Sequence, residues 1–433
     1  MSSRLPSRFE ASLVRVGRRA RSGWRGLGPG LVTGVADDDP SGISTYTVAG
    51  ATHGYSLLWT SIATFPMNFA VQSICARIGV VTGRGLTANI ARHYGRGWLR
   101  VVVLLLLVAN VVNIGADIGA IAAAIALLTP IPALALVIPI GLGIAAIEIV
   151  VPYPVFARYL KLLTFVVFAY VIGAFAARPD WGAALAGTFI PRVTFDRATL
   201  GMLVAILGTT ISPYLFFWQT SQETEEEQAN GIAPGKLRPG QIRLLVRAAD
   251  ADVGIGMLVA NVGFYFVVLT SAAALYSTGH TEVETAADAA RALRPLAGDA
   301  ASLLFALGII GTGLLAVPVL AGSVAYASAE LFDWPEGLSK TFPQAPQFYG
   351  VILLATLGGV GIVFSPISEI QALYVAAVVN GTIAPLLLVF LMVSAHDRRI
   401  LGESRPPLLT MVVGWGTAIT MLLAAGALFL SLL

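Results

Sequence analysis

The chain has 433 residues, of which 56% are hydrophobic and only 12% charged, and its mean hydropathy is +0.80. Soluble domains carry about 25% charged residues, so neither a single water-soluble core of this length nor a disordered chain fits. The formal charge of +3 does not point to nucleic acid, and the composition is that of a polytopic membrane protein. The one cysteine, Cys75, lies in an apolar stretch and excludes a disulfide framework or a thiolate metal cage. The histidines His53, His93, His280 and His396 are scattered, with no H-E-x-x-H pair for a zinc hydrolase. No P-loop, dinucleotide fingerprint or catalytic triad occurs. A non-enzyme without a cofactor is expected, driven by an ion gradient or by the membrane potential.

Residues 1–26 form a basic segment that lacks the cleavable apolar core of a secretory signal. A helix needs about 20 mainly apolar residues to cross a bilayer. Eleven runs qualify: 27–50, 55–80, 99–128, 132–151, 159–177, 199–220, 251–276, 302–332, 349–365, 368–394 and 407–430. With the N-terminus inside, all 27 Lys and Arg residues fall on the inner side except Arg178, Arg192, Arg197, Arg291 and Arg294. The positive-inside rule therefore predicts a cytoplasmic N-terminus, and an odd span count puts the C-terminus outside. The expected division is the basic segment 1–26, a transporter core over 27–395, and a loop with the eleventh span over 396–433.

Two spans contain something expensive. The first places Asp37, Asp38 and Asp39 at mid-depth, followed by Pro40 and Gly42. An ionised carboxylate there costs about 2.5–3.5 kcal/mol on insertion scales, and Pro40 removes a backbone donor. Unwinding is expected around Asp39–Gly42, with free carbonyls facing a cavity. The sixth span is interrupted over Gly208-Thr209-Thr210-Ile211-Ser212-Pro213. A proline alone often marks only a kink, and three acids can also form a re-entrant turn at an interface. Two breaks five spans apart, however, point to a midplane substrate site in an inverted repeat. Spans one to five and six to ten form the halves.

At these residues the sequence resembles the NRAMP family of divalent-metal transporters. The family's first-helix motif Asp-Pro-Gly-Asn falls on Asp39-Pro40-Ser41-Gly42. Gly28–Gly30 precede it, and Ala49-Gly50 and Gly54 through Trp59 follow. Gln72, Gly79 and Thr82-Gly83 continue the pattern, and the sixth-helix Met-Pro-His falls on Ser212-Pro213-Tyr214. The resemblance implies an all-α membrane protein of eleven helices, a 5+5 inverted repeat of the LeuT type with helices one and six broken. Carried over singly, it implies metal ligation by Asp39, by the Thr209 carbonyl, and at the positions of Gly42 and Ser212. Asp37 and Asp38 are further candidates. Gly42 offers only backbone where the family has Asn, and Ser212 replaces a thioether by a hydroxyl. Hard oxygen donors suit Mg²⁺, Ca²⁺ or Mn²⁺ better than Cd²⁺. This resembles the NRAMP-related magnesium transporters.

Proton coupling is where the chain departs furthest from that pattern. The relay histidine is Tyr214, whose reference pKa is near 10. No arginine stands in Gly350–Phe364, where the family usually has one. Asp117 is the remaining proton-path candidate, or a carboxylate bonded between helices, and Asn113 takes the family's acidic position. Tyr214 and Asn380, with Glu369 and Gln371 near it, are candidate cavity residues. Glu223 to Glu227 read as a solvated loop, Glu148 as an interfacial residue, and Glu282, Glu284 and Asp288 as a short surface helix. The lead expectation is inward carriage of Mg²⁺ or Mn²⁺ across a bacterial inner membrane without obligatory proton coupling. The alternative is an ion-coupled carrier of a small organic solute with the same fold. The expected partners are the metal substrate and the lipid bilayer, not nucleic acid, and the oligomeric state is left open.

Overall fold

The computed structural model describes residues 28–151, 153–194, 196–232, 237–279, 290, 298–366 and 369–432. The first apolar run is two helices, α1 (Pro29–Ala36) and α2 (Pro40–His53). Next come α3 (Trp59–Thr82), a short α4 (Leu86–Tyr94), α5 (Gly97–Leu128) and α6 (Ala133–Val150). The fifth run is α7 (Tyr153–Leu163) and α8 (Val167–Ala176), followed by the short α9 (Trp181–Phe189). The sixth is again two helices, α10 (Arg197–Thr210) and α11 (Pro213–Ala229). The remainder are α12 (Pro239–Ala274), α13 (Asp299–Phe332), α14 (Pro346–Val363), α15 (Glu369–His396), α16 (Arg398–Leu401) and α17 (Leu408–Leu432).

Every one of the eleven runs coincides with helix, and among the described residues eight helices are long and apolar enough to cross a membrane. Proline sets many of the starts. Pro29, Pro40, Pro213, Pro239 and Pro346 each open a helix, where the missing N–H costs nothing and φ is already helical. Gly83, at φ +62°, closes α3 in the left-handed conformation.

The helices pack in two groups. The seventh span, α12, lies against α1, α2, α3 and α8, while the third, α5, lies against α13, α14, α15 and α6. Second packs on seventh and third on eighth, so corresponding members of the two halves face each other. The α1–α12 crossing is close because both surfaces are glycine. A Cβ on Gly30 would stand 2.5 Å from Val253 N, and one on Gly34 2.7 Å from Gly256 Cα. Such small-residue faces let membrane helices approach backbone to backbone.

One expectation about acids is corrected here. Glu223 to Glu227 are not a solvated loop: α11 runs on to Ala229, and Glu223, Glu225 and Glu227 are buried. Donors make that possible. Glu225 accepts from Leu338 N and Ser339 N at 3.0 Å, from Ser339 Oγ at 2.7 Å and from the Tyr326 hydroxyl. Gln219 Nε2 donates to Glu223 at 2.9 Å. Glu148, two residues from the end of α6, is buried. It continues the buried stripe Val137, Gly141, Ile144, Ala145 of α6, at helical spacing. Glu282, Glu284, Asp288, and the side chains of Glu369 and Gln371, lie outside the described residues.

Beyond the spanning helices, burial and the neighbouring Glu330 charge push the Glu336 carboxyl from 4.5 up to about 9, against the opposing pull of Lys340. Between those values the folded chain holds a proton that the unfolded chain has released. Stability is therefore expected to fall as pH rises from about 4.5 to about 9. Glu336→Gln should flatten that decline in thermal unfolding of the purified protein. An unchanged pH slope in the variant would refute the assignment.

Candidate functional site

The first break occupies Asp37–Asp39, starting two residues earlier than the expected Asp39–Gly42. Its position follows from local chemistry. Pro40 takes the first helical position of α2, and Asp39 caps the helix, its Oδ1 accepting from Gly42 N at 2.6 Å and Ser41 Oγ at 2.7 Å. Gly42 is thus in the first turn of α2 rather than in the unwound segment. The second break has the same form. α10 ends at Thr210, Ile211 and Ser212 are non-helical, and Pro213 opens α11.

The two breaks meet at Gly42. A Cβ there would lie 3.1 Å from the Asp37 carbonyl oxygen, 3.2 Å from Asp39 Oδ1 and 3.4 Å from Thr209 Oγ1. These three nearest atoms are all oxygens, contributed by α1's exit, α2's cap and the end of α10. The Thr209 carbonyl, expected to face a cation, instead accepts the Ser212 hydroxyl at 2.8 Å. Thr209 reaches Gly42 with its side chain. Tyr214 ties the breaks together, its hydroxyl donating to the Ala36 carbonyl at 2.8 Å.

The three aspartates do not converge. Asp37 Oδ2 accepts from Asn68 Nδ2 of α3 at 3.2 Å, and Asp39 turns onto its own helix. Asp38 faces Gly263 of α12, whose Cβ would stand 3.2 Å from Asp38 Cγ. Both Asp38 oxygens are buried and accept no hydrogen bond from the described residues. Among the described residues no three His, Cys, Asp or Glu side chains are arranged to hold a metal ion. A cation at Gly42 would therefore be held by one carboxylate supplemented by carbonyl and hydroxyl oxygen. Asn113 and Asp117 are buried one turn apart on α5, and Asn380 is buried on α15, which packs against α5. None of the three supplies an atom of the trio at Gly42.

Residues 30–431 match the Nramp family of natural resistance-associated macrophage protein-like proteins. The chain belongs to this family. It is 27% identical over 403 residues to the divalent metal cation transporter MntH of Aeromonas hydrophila, covering 90% of this chain and 91% of the relative. A Yersinia pestis MntH is 26% identical over 404 residues, covering 90% of each chain. The manganese transporter of Eremococcus coleocola superposes with a TM-score of 0.77 at 18% identity, over 98% of this chain and 87% of that one. Mhp1, a nucleobase-cation-symport-1 transporter, superposes with a TM-score of 0.58 at 15% identity, over 93% and 92%. The architecture of this Nramp chain is the LeuT-type fold, and its role is that of a transporter rather than an enzyme.

Two residues that hold the ends of α1 escaped the sequence reading. Asp252 of α12 accepts from Gly28 N at 2.8 Å and Gly30 N at 2.7 Å, capping α1 from a distant helix. Asn68 holds Asp37. Neither partnership has a local signal. Gly30 and Gly34, by contrast, are a G-x-x-x-G pair visible in the chain.

Proposed function

We propose that this Nramp-family chain carries a hard divalent cation, Mg²⁺ first and Mn²⁺ second, through the meeting point of the two breaks. The observation that carries the reading is the trio of oxygens around Gly42, two from the first break and one from the second. Asp39 supplies the charge, the Asp37 carbonyl and Thr209 hydroxyl complete the protein ligands, and Ser212 orients Thr209. The side chains of Asp37 and Asp38 contribute no atom to the three oxygens. Carboxylate, carbonyl and hydroxyl are donors for Mg²⁺, Ca²⁺ and Mn²⁺, and no thioether stands at Ser212 to favour Cd²⁺. The MntH relatives support a divalent metal as the substrate. A point where a single added methyl already touches three oxygens suits an ion better than an organic solute.

The direction is inward across a bacterial inner membrane, with the basic N-terminus in the cytoplasm. Coupling to protons is not required. Two charges moving inward at about 100 mV gain about 4.6 kcal/mol, more than three tenfold steps in concentration. Tyr214 spends its hydroxyl proton on a carbonyl, and α14 carries no arginine.

Uptake into proteoliposomes at clamped potential, with a pH dye in the lumen, tests this directly. Mg²⁺ should enter and compete with Mn²⁺ at millimolar concentration without acidifying the lumen, and Ser212→Met should shift preference toward Cd²⁺. A wild-type preference for Cd²⁺ over Mg²⁺ would defeat the hard-site reading. Metal-dependent acidification that disappears in Asp117→Asn would defeat the uncoupled one.

A further inference from the structure

Tyr214 is 1% exposed, and its hydroxyl donates to the carbonyl of Ala36, the last residue of α1. Carbonyls at the end of a helix lack an onward partner in the helix and must find one elsewhere. The next carbonyl in the chain, that of Asp37, is one of the oxygens gathered at Gly42. Ala36 and Asp37 are therefore consecutive carbonyls leaving the same helix end, yet only one lies in the trio while the other is held by the phenol. Tyr214 itself follows Ser212-Pro213, so the second break places this donor opposite the first.

We propose that Tyr214 sets the ion preference of the site by withholding the Ala36 carbonyl from the cation. The inference rests on the metal site proposed above and concerns which ion that site selects. An oxygen engaged by a phenol is turned toward the donor and has one lone pair in use. With that carbonyl removed, the protein offers fewer ligands, and a bound ion must retain more water. Mg²⁺ dehydrates reluctantly and keeps several waters, and it tolerates such a site better than an ion that exchanges water for protein oxygen readily. Freeing the carbonyl should favour Mn²⁺. A purely structural role for the phenol makes a different demand, since loosening the breaks would weaken every ion by the same factor.

The test is Tyr214→Phe, which keeps the ring in place and removes only the donor. Wild type, this variant and Asp39→Asn are titrated calorimetrically with MgCl₂ and with MnCl₂. The expected result is a rise of about tenfold in the Mn²⁺-to-Mg²⁺ affinity ratio of Tyr214→Phe, equivalent to one buried ligand gained. An unchanged ratio overturns the inference, whether both affinities hold or fall together, and so does the loss of both ions in Tyr214→Phe. Asp39→Asn separates the two levels of the argument. Loss of both ions in that variant with an unchanged ratio in Tyr214→Phe leaves the metal site standing and removes only the role of Tyr214. Retention of both ions in Asp39→Asn removes the site itself.

Discussion

Asp39→Asn is expected to abolish divalent uptake while leaving the protein folded. The two effects separate because Asp39 does two things. As the cap of α2 it accepts from Gly42 N and Ser41 Oγ through Oδ1, and an asparagine amide oxygen caps a helix about as well. As the only carboxylate in the oxygen trio at Gly42 it supplies the unit charge that faces the cation, and an amide does not. At an effective dielectric near 20, a pair of unit charges about 4 Å apart is worth about 4 kcal/mol, and a dication gains more. Affinity should therefore fall by about a thousandfold or more, below detection in an uptake assay. The variant should still elute as a single species with a wild-type melting temperature. Uptake at wild-type rates would remove the site, and a collapsed elution profile would show that the cap, not the charge, dominates at this position.

The breaks were legible because a proline joined an acid run in one span and a second interrupted span stood five spans later. Proline alone would not have marked them, since Pro66, Pro139, Pro318 and Pro385 lie inside unbroken helices. The register of the breaks was not legible. Asp39-Pro40 and Ser212-Pro213 both place proline at the first helical position after an N-cap residue, though only Asp39 caps with its side chain. That pairing puts the unwound residues before the proline, whereas treating Pro40 as a disruption of the preceding turn shifts the break toward Gly42. The burial of Glu225 was illegible for a different reason. Its donors, Leu338 N and Ser339 N and Oγ, lie more than 110 residues away, and only the folded chain brings them to α11. Glu148 was legible after all, since it falls in register with Val137, Gly141 and Ile144 on α6. Its distance from the helix end speaks to depth, and the face it shares speaks to burial. Tyr214 shows the limit of carrying a position over from a family. Its place opposite the first break could be read, but not its bond to Ala36 O.

Gly256→Ala is expected to be as damaging to the fold as Asp39→Asn is to transport. A Cβ at Gly256 would lie 2.6 Å from the Gly30 carbonyl carbon and 2.9 Å from Leu31 Cα, and closer still to the Gly30 oxygen. All of these are backbone atoms, so no rotamer change relieves the overlap, and α1 must move off α12 as a unit. That movement breaks the bonds from Gly28 N and Gly30 N to Asp252. It also displaces Ala36 and Asp37, whose carbonyls meet Tyr214 and the oxygen trio. Overpacking of this kind costs about 1–3 kcal/mol where side chains can adjust, and more is expected where only backbone can. Gly361→Ala provides the contrast, because nothing lies within 4 Å of a Cβ at that position in α14. There the better helix propensity of alanine, about 1 kcal/mol, should leave the melting temperature unchanged or raised. Equal thermal stability for the two variants in the same detergent would show that the α1–α12 crossing is looser than its glycines indicate. A lowered melting temperature and lost uptake in Gly256→Ala alone would tie the first break's geometry to the helix behind it.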